Sequence, residues 1–251
     1  MKISIITTCY NRVGTLRDAI EIVLSQDYPH IEYIVVDGAS TDGSLEVIAA
    51  YRDRIAVVIS EPDNGMYEAL NKGIRAATGD VIGVVHSDDT LYDRHVISEI
   101  AETFRNTNAD FVYSNGLFVK HDQPDKPVRD WISGSYSKRK VKFGWLPLHP
   151  TCYIRRETML RTGLYDESYR IAADSDLLVR YLYKANLRVA YLPQYIIRMR
   201  MGGMSTDSRK RKQMWDEDVR MYRSHGFWAV PTKILKMLWK VPQFVKAKFQ
   251  H

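Results

Sequence analysis

Lys2-Ile3-Ser4-Ile5-Ile6-Thr7-Thr8-Cys9-Tyr10-Asn11-Arg12 opens the chain, and Thr15–Ser25 follows with apolar residues at Leu16, Ala19, Ile20, Val23 and Leu24. The first run reads as a buried strand that ends in a polar turn. The spacing of the second places its apolar residues on one helical face. A strand feeding an amphipathic helix is half of a parallel β-α-β unit, and the pair recurs along the chain. Ile31–Asp37 precedes a helix at Leu45–Tyr51, and Ile55–Ser60 precedes one at Tyr67–Ala77. Asp80–His86 precedes a helix at His95–Arg105, after which Phe111–Ser114 starts another strand. The expected fold is therefore α/β, a mostly parallel sheet with helices on both faces. Right-handed crossovers would bring the strand C-terminal ends to one edge, where ligands bind in such sheets.

Polar loops fall at that edge: Thr8–Arg12 after the first strand, Asp37-Gly38-Ala39-Ser40-Thr41-Asp42-Gly43 after the second, and Ser87-Asp88-Asp89 after the fourth. Beyond Gly116 the alternation loosens, with Gly134, Gly144, Pro147 and Pro150 interrupting it. A strand near Thr151–Arg155, helices at Glu157–Thr162 and Leu177–Lys184, and a short strand at Arg188–Leu192 complete the reading. Residues 1–205 are expected to form one domain, with halves at 1–115 and 116–205, and 206–251 a basic amphipathic helical tail.

The 251 residues are 45% hydrophobic, enough for a sizeable core without disulfides. The formal charge of +6 is unevenly placed: no acidic residue follows Asp218, whereas Arg220, Arg223, Lys233, Lys236, Lys240, Lys246 and Lys248 do. That asymmetry points to an anionic partner for the C-terminal end. Cys9 and Cys152, the only cysteines, lack metal-ligand spacing and read as free thiols in a reducing compartment. The apolar N-terminal run is too short for a signal peptide, and no stretch reaches the roughly 20 apolar residues of a membrane span. A cytoplasmic location is expected.

Two acidic features carry candidate chemistry. Asp88-Asp89 ends an apolar strand, and adjacent carboxylates there repel unless a cation relieves them. Mg²⁺ or Mn²⁺ binds through a few such oxygens and keeps positions for phosphate and water. The other reading of the pair is that Asp88 caps the next turn or helix and Asp89 is solvated. Asp174, in Ile171-Ala172-Ala173-Asp174-Ser175-Asp176-Leu177, precedes an apolar helix. A carboxylate held there suits a general base, and equally Asp174 or Ser175 suits a helix N-cap.

These segments together resemble glycosyltransferase family 2, the inverting enzymes of the GT-A fold. The matching pieces are Ser4–Asn11, Ile34–Gly43, Glu61-Pro62-Asp63-Asn64-Gly65-Met66-Tyr67-Glu68-Ala69-Leu70-Asn71-Lys72-Gly73, Gly79–Gly83 through Ser87-Asp88-Asp89, Gly163–Glu167, Asp174–Leu177 and Gly202–Ser205. Their order and spacing are most similar to bacterial polysaccharide-building members of the colanic-acid type. The resemblance implies a hexosyltransferase-like enzyme, with residues 1–115 as its nucleotide-sugar half and 116–205 as its acceptor half. It assigns Thr8, Tyr10, Asn11, Asp37, Asp63 and Asp88 to nucleotide-sugar binding, Asp88 and Asp89 to the metal with Asp89 as the direct ligand, and Asp174 to the catalytic base. Gly38 stands where many members carry a second acid, and Ala173 precedes Asp174 where a glutamate is typical. The Gln-x-x-Arg-Trp element of processive members is absent, which implies single addition.

Trp145 and His149, in Gly144–Thr151, suit an acceptor wall, since sugar faces stack on indole and hydroxyls bond to imidazole. A buried structural His149 is the other reading. The tail Thr232–Phe249 sets Ile234, Leu235, Leu238, Trp239, Val241, Phe244, Val245 and Phe249 against lysines, with Pro242 dividing it into two short helices. It suits either an interfacial helix at the inner face of the plasma membrane, near a lipid-linked saccharide acceptor, or a helix packed on the domain. Three other function classes fit parts of the pattern. The Arg209–Lys212 run suits nucleic acid, without the motifs that give specific binding. A Mg²⁺-dependent phosphotransfer enzyme would lack its P-loop, and an inactive sugar-nucleotide-binding relative would not need Asp88, Asp89 and Asp174.

Overall fold

The computed structural model describes residues 1–120, 126–202 and 210–243. Its N-terminal part runs β1 (Ile3–Cys9), α1 (Val13–Leu24), β2 (Ile31–Asp37), α2 (Ser44–Ala50), β3 (Val57–Ser60), α3 (Met66–Ala76) and β4 (Val81–Val84). These strands pair in parallel in the order β3-β2-β1-β4. Alternation along β1 explains the two-sided core: Ile3 and Ile5 pack with Leu16, Ile20 and Val23 of α1, while Ile6 packs with Leu70 and Ile74 of α3.

Next come β5 (Asp89–Leu91), α4 (Val96–Thr107), β6 (Phe111–Val119), β7 (Pro127–Trp131), α5 (Lys138–Lys142), β8 (Tyr153–Arg155), α6 (Arg156–Thr162), α7 (Ala173–Val179) and β9 (Val189–Arg200). Here the sheet becomes mixed. β8 is antiparallel to β4 and β6, β7 is antiparallel to β6, β6 is parallel to β9, and β5 is antiparallel to β9. β5, β7 and α5 are too short to leave a periodic signal. β6 and β9 extend well past their expected ends for identifiable reasons. Pro193 looks like a strand breaker, yet the register steps from Tyr113↔Tyr191 to Asn115↔Tyr195, so it sits in a bulge where its missing N–H costs nothing. Gly116 looks like a turn, yet a Cβ there would lie 2.5 Å from Leu148 Cδ2, and the strand needs glycine for this close approach.

The chain then forms α8 (Arg211–Ser224) and α9 (Ala229–Leu238). They are joined to each other by Lys233 and Asp218, and both pack on the sheet domain: Glu217 of α8 accepts from Ile171 N at 2.8 Å, and Trp239 Nε1, just after α9, donates to Phe143 O at 3.0 Å. α9 ends before Pro242. No helix among the described residues is long and apolar enough to cross a membrane. The expected boundary near residue 205, the motif residues Gly203, Met204 and Ser205, Arg209 of the basic run, and Phe244, Val245, Lys246, Lys248 and Phe249 of the tail lie outside the described residues.

Candidate active site

The chain leaves β1 toward β2 on one side, while β4 lies on the other, so the loops after β1 and β4 part and open a crevice. A cavity of about 780 Å³ occupies it and continues under α7 and α9. Of the residues singled out in the sequence, Thr8, Tyr10, Asp63, Asp88, Asp89, Trp145, His149 and Asp174 line this cavity. Asn11 and Asp37 do not. Stretches of chain far apart in sequence thus supply acids to one space.

Asp37 is 0% exposed, and its oxygens accept from Ser40 N at 3.0 Å, Ser40 Oγ at 2.5 Å and Ser60 Oγ at 2.9 Å. It is a buttress for the loop after β2. Asn11, at φ 52°, accepts from Thr41 N at 2.9 Å and donates through its own N–H to Ser40 Oγ at 2.9 Å. Asparagine tolerates this left-handed turn. The two loops are thereby tied together, and Tyr10, 64% exposed, is presented at the cavity mouth. A Cβ on Gly38 would come within 2.6 Å of Asp63 Oδ2 and 3.3 Å of Tyr10 Cδ2. The missing side chain at position 38 therefore leaves room that the Asp63 carboxylate fills from the neighbouring loop, beside the Tyr10 ring.

After β4 the chain turns tightly, Asp89 N donating to His86 O at 3.0 Å, and Asp89 enters β5 opposite Met199. Asp89 is 2% exposed and its Oδ2 has no hydrogen-bond partner. Burial, reinforced by the charge of Asp88, pushes its pKa well above the carboxylate range against the pull of Arg200. The solvated reading of Asp89 is thus corrected, because β5 buries it. Asp88 does not cap the helix that follows, since α4 begins at Val96 with His95 in the N-cap position. An orphaned carboxylate oxygen beside a second carboxylate at a cavity wall is a fit for a hard divalent cation. Among the described residues no three His, Cys, Asp or Glu side chains cluster as a cage. An ion here would thus be held by Asp88 and Asp89, with its other positions left to oxygens that the protein does not supply. His86 stacks on His149 with ring centres 6.2 Å apart, and His149 Nε2 bonds with Tyr165 OH at 2.7 Å. Burial brings both imidazoles down to about 4, so they are neutral at pH 7. Trp145, 5% exposed, lines the cavity and donates its Nε1 to Ser133 O at 2.9 Å.

Across the cavity, Asp174 lies in the first turn of α7. Ala172 occupies the N-cap position without a side-chain cap, so neither Asp174 nor Ser175 is the N-cap. Ser175 N donates to Asp174 Oδ1 at 2.6 Å, while Ser175 Oγ accepts from Lys236 at 2.8 Å. Burial raises the pKa of Asp174, and Lys236 opposes it. Lys236 is itself held by Asp218 Oδ1 at 2.8 Å. The loop leading into α7 is fixed from the tail: Glu217 Oε2 accepts from the N–H groups of Arg170, Ile171 and Ala172 at 3.1, 2.8 and 3.0 Å. Glu217, Asp218 and Lys236 carry no motif in the sequence and become visible only when α8 and α9 pack beside α7. Glu217→Ala leaves three N–H groups without their acceptor and is expected to lower Tm by several degrees, on the order of 1–3 kcal/mol. Glu217→Gln, which keeps an acceptor oxygen, should retain most of that stability. Thermal unfolding of the two variants reads the difference.

Residues 4–168 match the family model described as "Glycosyl transferase family 2". The chain belongs to glycosyl transferase family 2. An uncharacterized glycosyltransferase of Mycobacterium tuberculosis is 28% identical over 183 residues, covering 71% of this chain and 68% of the relative. A PGL/p-HBAD biosynthesis glycosyltransferase of Mycobacterium bovis is 24% identical over 193 residues, 75% of this chain and 73% of the relative. Among solved structures, S. aureus TarS 1-349 in complex with UDP-GlcNAc superposes with TM-score 0.71 at 17% identity, covering 99% of this chain and 73% of that one. The mannosyltransferase PcManGT from Pyrobaculum calidifontis, in complex with GDP-Man and Mn2+, gives 0.65 at 18% identity, covering 98% and 73%. The family 2 chain thus has the GT-A fold. It is shorter than several relatives, spanning 64% of the TarS 1-349 chain solved with UDP and 44% of the longer TarS chain.

Proposed function

We propose that this family 2 chain is an inverting, non-processive, hexosyltransferase-like enzyme acting on a nucleotide-diphospho-sugar. Its acceptor is a hydroxyl of a lipid-linked saccharide, in bacterial surface polysaccharide assembly of the colanic-acid kind, at the cytoplasmic face of the plasma membrane. One observation carries the reading: Asp88, beside the buried Asp89, and Asp174 line the same cavity although 86 positions separate Asp88 from Asp174.

Thr8, Tyr10 and Asp63 hold the nucleotide, and Asn11 and Asp37 keep the Tyr10 loop in place for it. Asp88 and Asp89 hold Mg²⁺ or Mn²⁺, which when bound would neutralise charge growing on the departing diphosphate. Asp174 takes the proton from the acceptor hydroxyl as that oxygen attacks the anomeric carbon from the face opposite the diphosphate. A single backside displacement inverts the anomeric centre. Neutral His149, steadied by Tyr165, offers the acceptor hydrogen bonding, and Trp145 beside it offers apolar surface. Residues 1–205 form the catalytic domain and 206–251 the basic tail, whose outward Ile234, Met237, Leu238 and Trp239 support contact with an anionic membrane.

The ligands of the solved relatives make uridine and guanosine the first nucleotides to test. UDP, UDP-GlcNAc, GDP and GDP-Man are screened with and without Mn²⁺ by thermal shift. One nucleotide class at about 100 times its Kd is expected to raise Tm by roughly 5 °C or more with the cation. A flat response to all of them contradicts the reading.

A further inference from the structure

β7 and the end of the C-terminal segment bring Arg129, Trp131, Lys240 and Gln243 to the wall of the same cavity, away from the nucleotide loops. Asp89, Met199, Phe118 and Arg129 are successive register partners across β5, β9, β6 and β7. Arg129 therefore lies three strand spacings, about 14 Å, from Asp89. Its guanidinium lies against a stacked pair of rings, with Cζ 4.8 Å from the Phe118 centre and 4.4 Å from that of Trp131. Gln243 Oε1 accepts from its Nε and Nη2 at 2.8 and 2.6 Å. Lys240 Nζ stands 5.8 Å from the centre of the same Trp131 ring.

The neighbouring Lys233 and Lys236 share one carboxylate, that of Asp218, so this group keeps a net positive charge beside Lys240. No carboxylate among the described residues pairs with Lys240. The nearby Asp130 accepts from Tyr195 OH at 2.6 Å through Oδ1 and keeps a buried Oδ2 without a partner; alternation along β7 sets it on the face opposite Arg129 and Trp131. Burial, then repulsion from Lys236, Arg129 and Lys233, brings Lys240 down to about 7. An anion placed between Lys240 and Arg129 would relieve that repulsion, the guanidinium acting as a fixed positive charge whose Nε–Nη2 edge is already held by Gln243. The same segment exposes Met237, Leu238, Trp239 and Val241, so an apolar surface adjoins this cationic end of the cavity. An anion arriving there on a hydrocarbon chain would satisfy both features.

We propose that Arg129 and Lys240, braced by Trp131 and Gln243, form a subsite for the phosphate or diphosphate of a lipid-linked acceptor. The proposal rests on the glycosyltransferase reading above and adds to it the part of the acceptor that is gripped. At about 14 Å from Asp89, the subsite leaves space for a sugar between the lipid phosphate and the reacting centre.

The test titrates farnesyl phosphate, inorganic phosphate and farnesol into the full chain, alone and after saturation with UDP or GDP and Mn²⁺, which fills the donor diphosphate position. Farnesyl phosphate is expected to bind more tightly than inorganic phosphate, and farnesol least. Lys240→Gln should weaken farnesyl phosphate about tenfold or more, and Lys240→Arg should restore it. Nucleotide affinity should be equal in all three proteins. Undiminished farnesyl phosphate affinity in Lys240→Gln, or farnesol binding as well as its phosphate, overturns the subsite. Inorganic phosphate binding as tightly as farnesyl phosphate overturns the lipid assignment and leaves a free-phosphate site. A wild-type chain that binds no nucleotide contradicts the donor reading instead, while the farnesyl phosphate arm run without nucleotide still decides the subsite.

Discussion

Asp174→Asn is expected to lose transfer by roughly 10²–10⁴-fold while binding the sugar nucleotide as the wild type does. The amide keeps the shape of the carboxylate and an oxygen to accept the Ser175 N–H, so α7 should start as before. It has no lone pair basic enough to take a proton from a hydroxyl. Because burial holds the pKa of Asp174 above its ordinary value against the pull of Lys236, the base is charged only above that raised value. In the wild type, kcat/KM should therefore climb with pH through a limb displaced upward from the usual carboxylate range. Initial rates across pH, paired with calorimetric titration of the nucleotide, read both effects. A variant with normal transfer removes Asp174 from the mechanism.

Asp88→Ala is expected to fail differently, at binding. Asp88 is the carboxylate at the cavity wall beside a buried neighbour whose Oδ2 has no partner, so its loss removes one of the two adjacent carboxylates there. The increment in nucleotide affinity that Mn²⁺ confers should disappear, and transfer should fall at least about 100-fold, the scale of several kcal/mol of charge stabilisation. Titration of nucleotide with and without Mn²⁺ measures the first, and initial rates the second. An Mn²⁺ increment of full size in Asp88→Ala takes that residue out of the cation site. The two variants together separate holding the leaving group from accepting the proton.

The framework of the fold is legible in the sequence wherever strands are apolar and helices amphipathic, as from Ile3 to Phe104. It fails where local signals are overridden by neighbours. Pro193 and Gly116 read as breaks, but a bulge accommodates one and close packing by Leu148 and Ile197 requires the other. Among the acids, the strand-end positions of Asp88 and Asp89 are readable, and Asp174 is readable as an acid at a helix start, although the helix takes it into its first turn rather than beginning after it. What Asp37 does was not readable. An acid after a strand can face a ligand or tie down its own loop, and only the positions of Ser40 and Ser60 decide between them. Gly38 marks a missing acid in sequence, while in space Asp63 fills the room it leaves. Glu217 had no signal at all, since its partners Arg170, Ile171 and Ala172 are 45 to 47 positions away. The tail lysines read as one solvated or membrane-facing set, whereas Lys233 and Lys236 turn inward to Asp218 and leave the apolar side chains outside.

The claim on which the rest depends is that one cavity holds a cation on Asp88 and Asp89 while Asp174 faces the reacting centre. Anomalous diffraction from crystals soaked with Mn²⁺ and the nucleotide that raises Tm tests it most directly. The expected result is a manganese peak within coordinating distance of the Asp88 carboxylate, with nucleotide density along Thr8, Tyr10 and Asp63 and the Asp174 carboxylate across the same cavity. A manganese peak elsewhere, or nucleotide bound outside this cavity, contradicts the account.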